Sequence, residues 1–478
     1  MPPVLQRWLP VALVAACALG LRTWNLDRRP MHADEANQAC KAGQLLEGRG
    51  YSFDPADHHG PTLYYAVLPV AWLRGERTLA GLTETTVRLV PALAGTAAVL
   101  LLCGLALSLG RWPALAAAAF LAVSPPAVYY SRYFVQETLL LAFTLGAIFC
   151  TAHWWRGGRL GWAIGAGICA GLMQATKAAA PLFLVVALAG LAFARPPRPA
   201  STRIGCDIGA ALLAALFIAA LFYSSFGAHL PGLADAFSTY SASFSRLSGT
   251  TGHEKPWWYY FTLFGWHRAG GVTTQQLLFS LVAILGLVLA LRPGAPRLLR
   301  AAAAYVAVVG LVLSIIPYKT PWHAIHLVPG LAVLAAGGLS LYPGRRFVAI
   351  ALAVLVVLFQ GEQVRLTSFL RSADERNPYA YVHTSPDVLK LRPLAVAAQT
   401  EGRTVRIISE EIWPLPWYLR GLSQVGYWTS VPDDCDGALV IASAGLAEQV
   451  RSRLHGNYET GFVGLRPGFT LVVFKRQP

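Results

Sequence analysis

Long apolar runs follow one another through the first three quarters of the chain, and the pattern stops near residue 363. A membrane-spanning helix needs about 20 mainly apolar residues, roughly 17 to 25. Runs of about that length lie at 8–24, 86–109, 113–130, 138–155, 160–176, 178–194, 204–224, 275–291, 300–317, 322–342 and 347–362. They predict a polytopic α-helical membrane protein with about eleven transmembrane helices. The 61–80 stretch differs: its apolar part, Leu63 to Leu73, is too short to cross and ends in Arg74, Glu76 and Arg77, which predicts an interfacial helix. After 363 charges become frequent. Short β-rich runs (Thr404 to Ile408, Ala438 to Ala442, Phe469 to Phe474) alternate there with helical ones (Pro386 to Thr400, Gly445 to Leu454). The expected organisation is a transmembrane region, 1–363, with external loops 25–85 and 225–273, followed by a small α/β domain, 364–478.

Composition sharpens this picture. Of 478 residues 55% are hydrophobic and 13% charged, against about 25% charged in a soluble globular protein, which excludes that class. The net charge of +15 would suit a nucleic-acid partner, but the positions of the arginines decide otherwise. With 61–80 interfacial, Arg7, Arg111, Arg156, Arg159, the Arg195 to Arg203 cluster, Arg292, Arg297, Arg300, Arg345 and Arg346 fall on one side. The positive-inside preference makes that side the cytoplasm, so the arginines set topology and no nucleic-acid partner is expected. The N-terminus is then cytoplasmic. The opposite face of the cell membrane receives the 25–85 loop, the 131–137 turn, Lys177, the 225–273 loop, Lys319 and the C-terminal domain. The first run reads as a span rather than a cleaved leader, because one Arg precedes it and Trp24 is an interfacial anchor. Seven scattered cysteines without C-x-x-C point to neither a zinc site nor a disulfide framework. No G-x-G-x-x-G or P-loop argues for a nucleotide.

The chemistry-bearing residues cluster on the external face. Asp34 and Glu35 follow the first span by about ten residues. A carboxylate there either acts as a general base on an incoming hydroxyl or caps the helix expected at 35–47. His58 and His59 precede Gly60-Pro61-Thr62; adjacent histidines lack zincin spacing and suit substrate or backbone hydrogen bonds better than a metal. In the turn Tyr129 to Glu137, Arg132 could clamp a phosphate and Glu137 could position it; the alternative is an aromatic belt with an interfacial Arg. Lys177 and Lys319 stand at the external ends of apolar helices, where charges are costly, and suit an anionic lipid headgroup or simply snorkel. Tyr133, Trp322 and His323 complete the candidate substrate-binding set. Aromatic density in 225–273 marks an interfacial helix.

Several blocks resemble the polytopic GT-C glycosyltransferases, the class of the protein O-mannosyltransferases and the lipid A aminoarabinose transferase. They are Asp34-Glu35, Gly60-Pro61-Thr62-Leu63-Tyr64-Tyr65 with Arg88-Leu89-Val90-Pro91, Ser124-Pro125-Pro126 through Arg132 and Glu137, and Thr176-Lys177. The blocks Asn377 to Asp387 and Trp413 to Arg420 are similar to a prokaryotic subfamily described as flippase-activity-associated. The resemblance implies a GT-C-like fold and a sugar donor carried on a polyprenyl phosphate. It also implies transfer with inversion to an acceptor of unknown type (protein, lipid or glycan) and an extracytoplasmic site. Neither nucleotide-sugar nor divalent metal nor other cofactor is expected. It makes Asp34 the base with Glu35 beside it, gives Arg132 and Glu137 places in the second loop, where many relatives carry Asp in place of Glu137, and turns Lys177 and Lys319 toward the donor phosphate. The rival is a flippase for lipid-linked oligosaccharide or its accessory subunit, which should show repeated halves or broken helices; the sequence displays neither.

Overall fold

The computed structural model describes residues 3–56, 59–248, 252–341, 346–400 and 404–477. The helices of the first half are α1 (Pro3–Thr23), α2 (Ala33–Leu46), α3 (Thr62–Leu73), α4 (Glu84–Ala106), α5 (Arg111–Ala122), α6 (Pro125–Ser131), α7 (Glu137–Gly157), α8 (Leu160–Gln174), α9 (Ala180–Ala194) and α10 (Ile204–Tyr223). They are followed by α11 (Gly232–Ser248), α12 (Tyr259–Phe264), α13 (Leu277–Ala290), α14 (Arg297–Ile315), α15 (Val328–Ser340), α16 (Arg346–Val364) and α17 (Leu391–Thr400). Among the described residues six helices are long and apolar enough to cross a membrane, and five shorter apolar helices accompany them. The chain is a multi-pass membrane protein.

Each of these apolar runs coincides with helix, because a chain in lipid must satisfy its backbone polar groups internally. The 113–130 run does so with a break. Its two pieces, α5 and α6, are bent by 58°, since Ser124 is extended before Pro125 and Pro126, and neither proline can donate to the preceding turn. A broken helix is therefore present where an unbroken one is expected. The run at 322–342 opens as a 3₁₀ turn, Pro321–His326, before α15. The 61–80 stretch is helical over the 12 residues of α3, too short to cross.

One compact unit comprises residues 1–24, 50–66 and 88–372. Of the candidate spans the most enclosed is the one that contains α15, while α10 turns Leu212, Leu213, Leu216 and Phe217 outward, the distribution expected where the surrounding solvent is hydrocarbon. The α8–α10 crossing depends on small residues: a Cβ at Gly167 would stand 2.1 Å from the Ala211 carbonyl oxygen. Between α12 and α13 lies a hairpin of β1 (Trp266–Ala269) and β2 (Val272–Gln275).

The second unit comprises residues 25–49, 67–87 and 373–478. Its sheet is built from β3 (Val405–Ile408), β4 (Val425–Trp428), β5 (Leu439–Ser443), β6 (Tyr458–Arg466) and β7 (Phe469–Arg476), in the order β4-β3-β5-β7-β6. The β3 strand runs parallel to both β4 and β5, and β7 is antiparallel to β5 and β6. All of β5 is buried, and Ile408, Val440, Val450, Val472 and Phe474 form the core on one face of the sheet. Pieces of the first loop fold with this sheet. Met31 N–H donates to the Tyr418 hydroxyl at 2.7 Å, Trp417 Nε1 donates to Glu84 Oε1 at 2.7 Å, and the rings of His32 and His383 stack 5.8 Å apart.

Candidate active site

The acidic pair opens α2, and its two carboxylates have different fates. The cap is His32: its backbone is extended, and Nδ1 accepts from the Asp34 N–H at 3.1 Å. Glu35 closes the reciprocal half of a capping box by accepting the His32 N–H at 3.1 Å. It also faces the Arg29 guanidinium at 3.4 Å, and the Glu35 side chain is fully enclosed. Because Nδ1 accepts, His32 is neutral, and burial pushes its pKa below 6.5. The Asp34 carboxylate takes no part in the cap. It is 51% exposed, and its one partner among the described residues is His32 Nδ1, 3.8 Å away and already occupied. Of the two sequence readings for this carboxylate, capping belongs to its neighbours.

The other unit gathers a second set. Gly60 N–H donates to the Thr176 carbonyl (3.1 Å), Thr62 N–H to the Ala175 carbonyl (3.2 Å), and the two threonine hydroxyls meet at 2.7 Å. Glycine is required for this pairing, since a Cβ at residue 60 would stand 2.1 Å from the Ala175 oxygen. The next residue, Lys177, forms a buried ion pair with Glu137 at the start of α7. His323 lies within electrostatic reach of Lys177, His59 and His326. The Tyr260 hydroxyl (3.4 Å) and Thr320 Oγ1 (3.2 Å) hold the His323 ring through Nδ1. Trp322 meets Tyr130 edge-on at 6.4 Å, and Tyr130 packs on Tyr133. His326, three residues after His323, stacks on Phe183 at 4.3 Å, and its buried Nδ1 has no hydrogen-bond partner among the described residues. The sequence reading passed over His326, although the H-x-x-H spacing puts both imidazoles on neighbouring positions of one turn.

Two expected phosphate ligands are otherwise engaged. Arg132 Nη1 donates to the carbonyls of Leu21 (3.2 Å), Arg22 (3.4 Å) and Trp24 (2.6 Å), and its guanidinium lies 4.6 Å over Phe369. It thus ties down the orphan carbonyls at the end of α1 and does not pair with Glu137. Lys319 Nζ donates to the carbonyls of Ser314 (3.0 Å) and Ile316, closing α14, and burial lowers its pKa. His58 lies outside the described residues. Among the described residues no three His, Cys, Asp or Glu side chains are grouped to hold a metal ion.

Residues 68–221 match the family model for dolichyl-phosphate-mannose-protein mannosyltransferase. The matched stretch is 154 of the 478 residues, and the fold of the chain as a whole is shared with solved structures. In particular it is similar to ArnT from Cupriavidus metallidurans, with 15% identity and TM-score 0.69 for the apo state over 97% of both chains. For ArnT bound to undecaprenyl phosphate the values are 16% and 0.67, again over 97% of each. The Archaeoglobus fulgidus oligosaccharyltransferase in its apo form is similar at 12% identity and TM-score 0.59, over 96% of this chain and 73% of that one. No curated protein sequence matches.

Proposed function

We propose that this protein transfers a sugar from a polyprenyl-phosphate donor to an acceptor hydroxyl at the extracytoplasmic face of the cell membrane, with Asp34 as general base. The observation that carries this reading is the exposed Asp34 carboxylate beside a cap already completed by His32 and Glu35. The fold held in common with a protein solved with undecaprenyl phosphate supports the donor class.

Asp34 takes the proton of the acceptor hydroxyl as its oxygen attacks the anomeric carbon. The bond from that carbon to the phosphate oxygen breaks, the configuration inverts, and polyprenyl phosphate leaves carrying the electron pair. Lys177 stabilises the departing phosphate. An ammonium has three donors, so Glu137 can hold it in place while others remain for phosphate oxygens. His323, within electrostatic reach of Lys177 and His59, adds a donor. The leaving group is already an anion of low basicity, so the reaction balances without a redox or nucleotide cofactor.

Asp34→Asn tests the assignment, because the amide keeps the shape and removes the base while the cap stays intact. Transfer should fall by about a hundredfold or more in a folded, membrane-inserted protein. Transfer at the wild-type rate would remove Asp34 from the chemistry.

A further inference from the structure

The unit that contains the sheet holds a pocket of about 520 Å³ that the transfer mechanism does not use. Its volume falls in the range of small-ligand sites, roughly 300 to 1,000 Å³. Its lining combines the polar side chains of Arg392, Arg420 and Glu84 with Tyr418 and the apolar Leu389, Pro393 and Val396.

The polar groups are incompletely used. Arg392 Nη1 donates to the carbonyls of Tyr418 and Arg420, and its Nη2 and Nε have no partner among the described residues. Arg420 donates through Nη1 to Trp417 and through Nη2 to Leu82, at 2.6 and 2.7 Å, while its buried Nε is unpaired among the described residues. Its guanidinium is held flat on the Trp417 ring at 3.8 Å. Glu84 accepts from Trp417 through Oε1 only. Two guanidinium groups against one carboxylate leave the pocket positive. Their planar forks suit a carboxylate or phosphate, and the spare Glu84 oxygen suits a hydroxyl. The apolar lining, where Leu389 is 43% and Val396 39% exposed, offers a surface for the C–H face of a sugar ring.

We propose that this pocket is an acceptor subsite for an acidic sugar, a pyranose bearing a carboxylate or a phosphate; the acceptor role rests on the transfer activity proposed above. The spare donors of Arg392 bind the anion beside the Arg420 charge, Glu84 accepts from a ring hydroxyl, and the apolar lining packs on the ring.

The test is binding to the full chain in lipid nanodiscs, with no donor present, followed by ligand-observed NMR with D-glucuronate, D-glucose 6-phosphate, D-glucose and inorganic phosphate. The two acidic sugars should bind saturably, and glucose and inorganic phosphate should bind at least about tenfold more weakly. Arg392→Gln and Val396→Asp should each weaken the acidic sugars by about tenfold or more. Val396→Asp removes no hydrogen bond, so it carries the test if Arg392→Gln does not fold. Both variants should bind polyprenyl phosphate as the wild type does. Acidic sugars binding no better than glucose, or equally well to the folded variants, would overturn the proposal. Inorganic phosphate binding as tightly as glucose 6-phosphate would overturn the sugar assignment. If acidic sugars bind as expected while the wild type moves no sugar from a polyprenyl donor, the acceptor role is overturned with the transfer reading. If transfer proceeds and acidic sugars do not bind, only the subsite is lost.

Discussion

The starts of α2, with Asp34 and Glu35, and of α7, with Glu137, use their acidic residues in opposite ways. At α2 the partners are local. Arg29, His32 and Glu35 lie within seven residues and complete one another, which leaves Asp34 as a surplus charge. At α7 the partner is distant: Glu137 pairs with Lys177, 40 residues away on the far side of the α7–α8 hairpin. A carboxylate satisfied by its own cap is structural. One left out of a complete cap, or one holding a buried cation in place, is available for chemistry. The same contrast separates the lysines, since Lys177 faces a carboxylate whereas Lys319 is spent on the end of α14.

That difference can be broken at its strongest point by Glu35→Gln. Arg29 then loses the charge of the carboxylate that faces it at 3.4 Å, and the unfolding midpoint in detergent should drop by the equivalent of about 3 kcal/mol. Asp34→Asn should leave that midpoint within about 0.5 kcal/mol of wild type. Equal losses in the two variants would erase the distinction between the neighbours. Next in size, Lys177→Met should weaken polyprenyl-phosphate binding by about 1.5 to 3 kcal/mol, measured by titration in nanodiscs. Lys319→Met should cost about 1 kcal/mol of stability and change that affinity less than twofold. If Lys319→Met costs affinity as Lys177→Met does, the two lysines share the donor after all.

The smallest effect is a pH dependence. The folded-state pKa of His32 is depressed by burial below the 6.5 of an unfolded chain. Below about pH 6.5 the unfolded state therefore binds the additional proton, and stability is lost as pH falls through that window. His32→Asn keeps a good N-cap and removes the titration, so its midpoint should vary less between pH 7.5 and 5.5 than that of the wild type. An unchanged dependence would assign the titration elsewhere.

The spans were legible because lipid demands long, mainly apolar helices, whatever their partners. The break before Pro125 was written in Ser124-Pro125-Pro126, but the apolar character continues across it and hides it from a length criterion. In the sheet, β3, β5 and β7 stood out as β-rich runs. The edge strands β4 and β6 did not: β6 carries Gly461 and Gly464 and exposes Glu459, Thr460 and Phe462, so neither its composition nor its burial looks like a core strand. Among the candidate residues, Asp34, Lys177 and Glu137 could be picked out singly. Their partners could not, because the cap fell to a histidine, a residue outside the usual capping set, and because the Lys177–Glu137 pair is made by tertiary packing.

Product release by the wild-type protein decides whether it transfers sugar from a polyprenyl phosphate. Purified protein in liposomes containing a polyprenyl-phosphate-linked sugar, supplied with a membrane extract as acceptor, should release polyprenyl phosphate one for one with sugar incorporated. Movement of the lipid-linked sugar across the bilayer with no release of polyprenyl phosphate would contradict the account and make the protein a transporter.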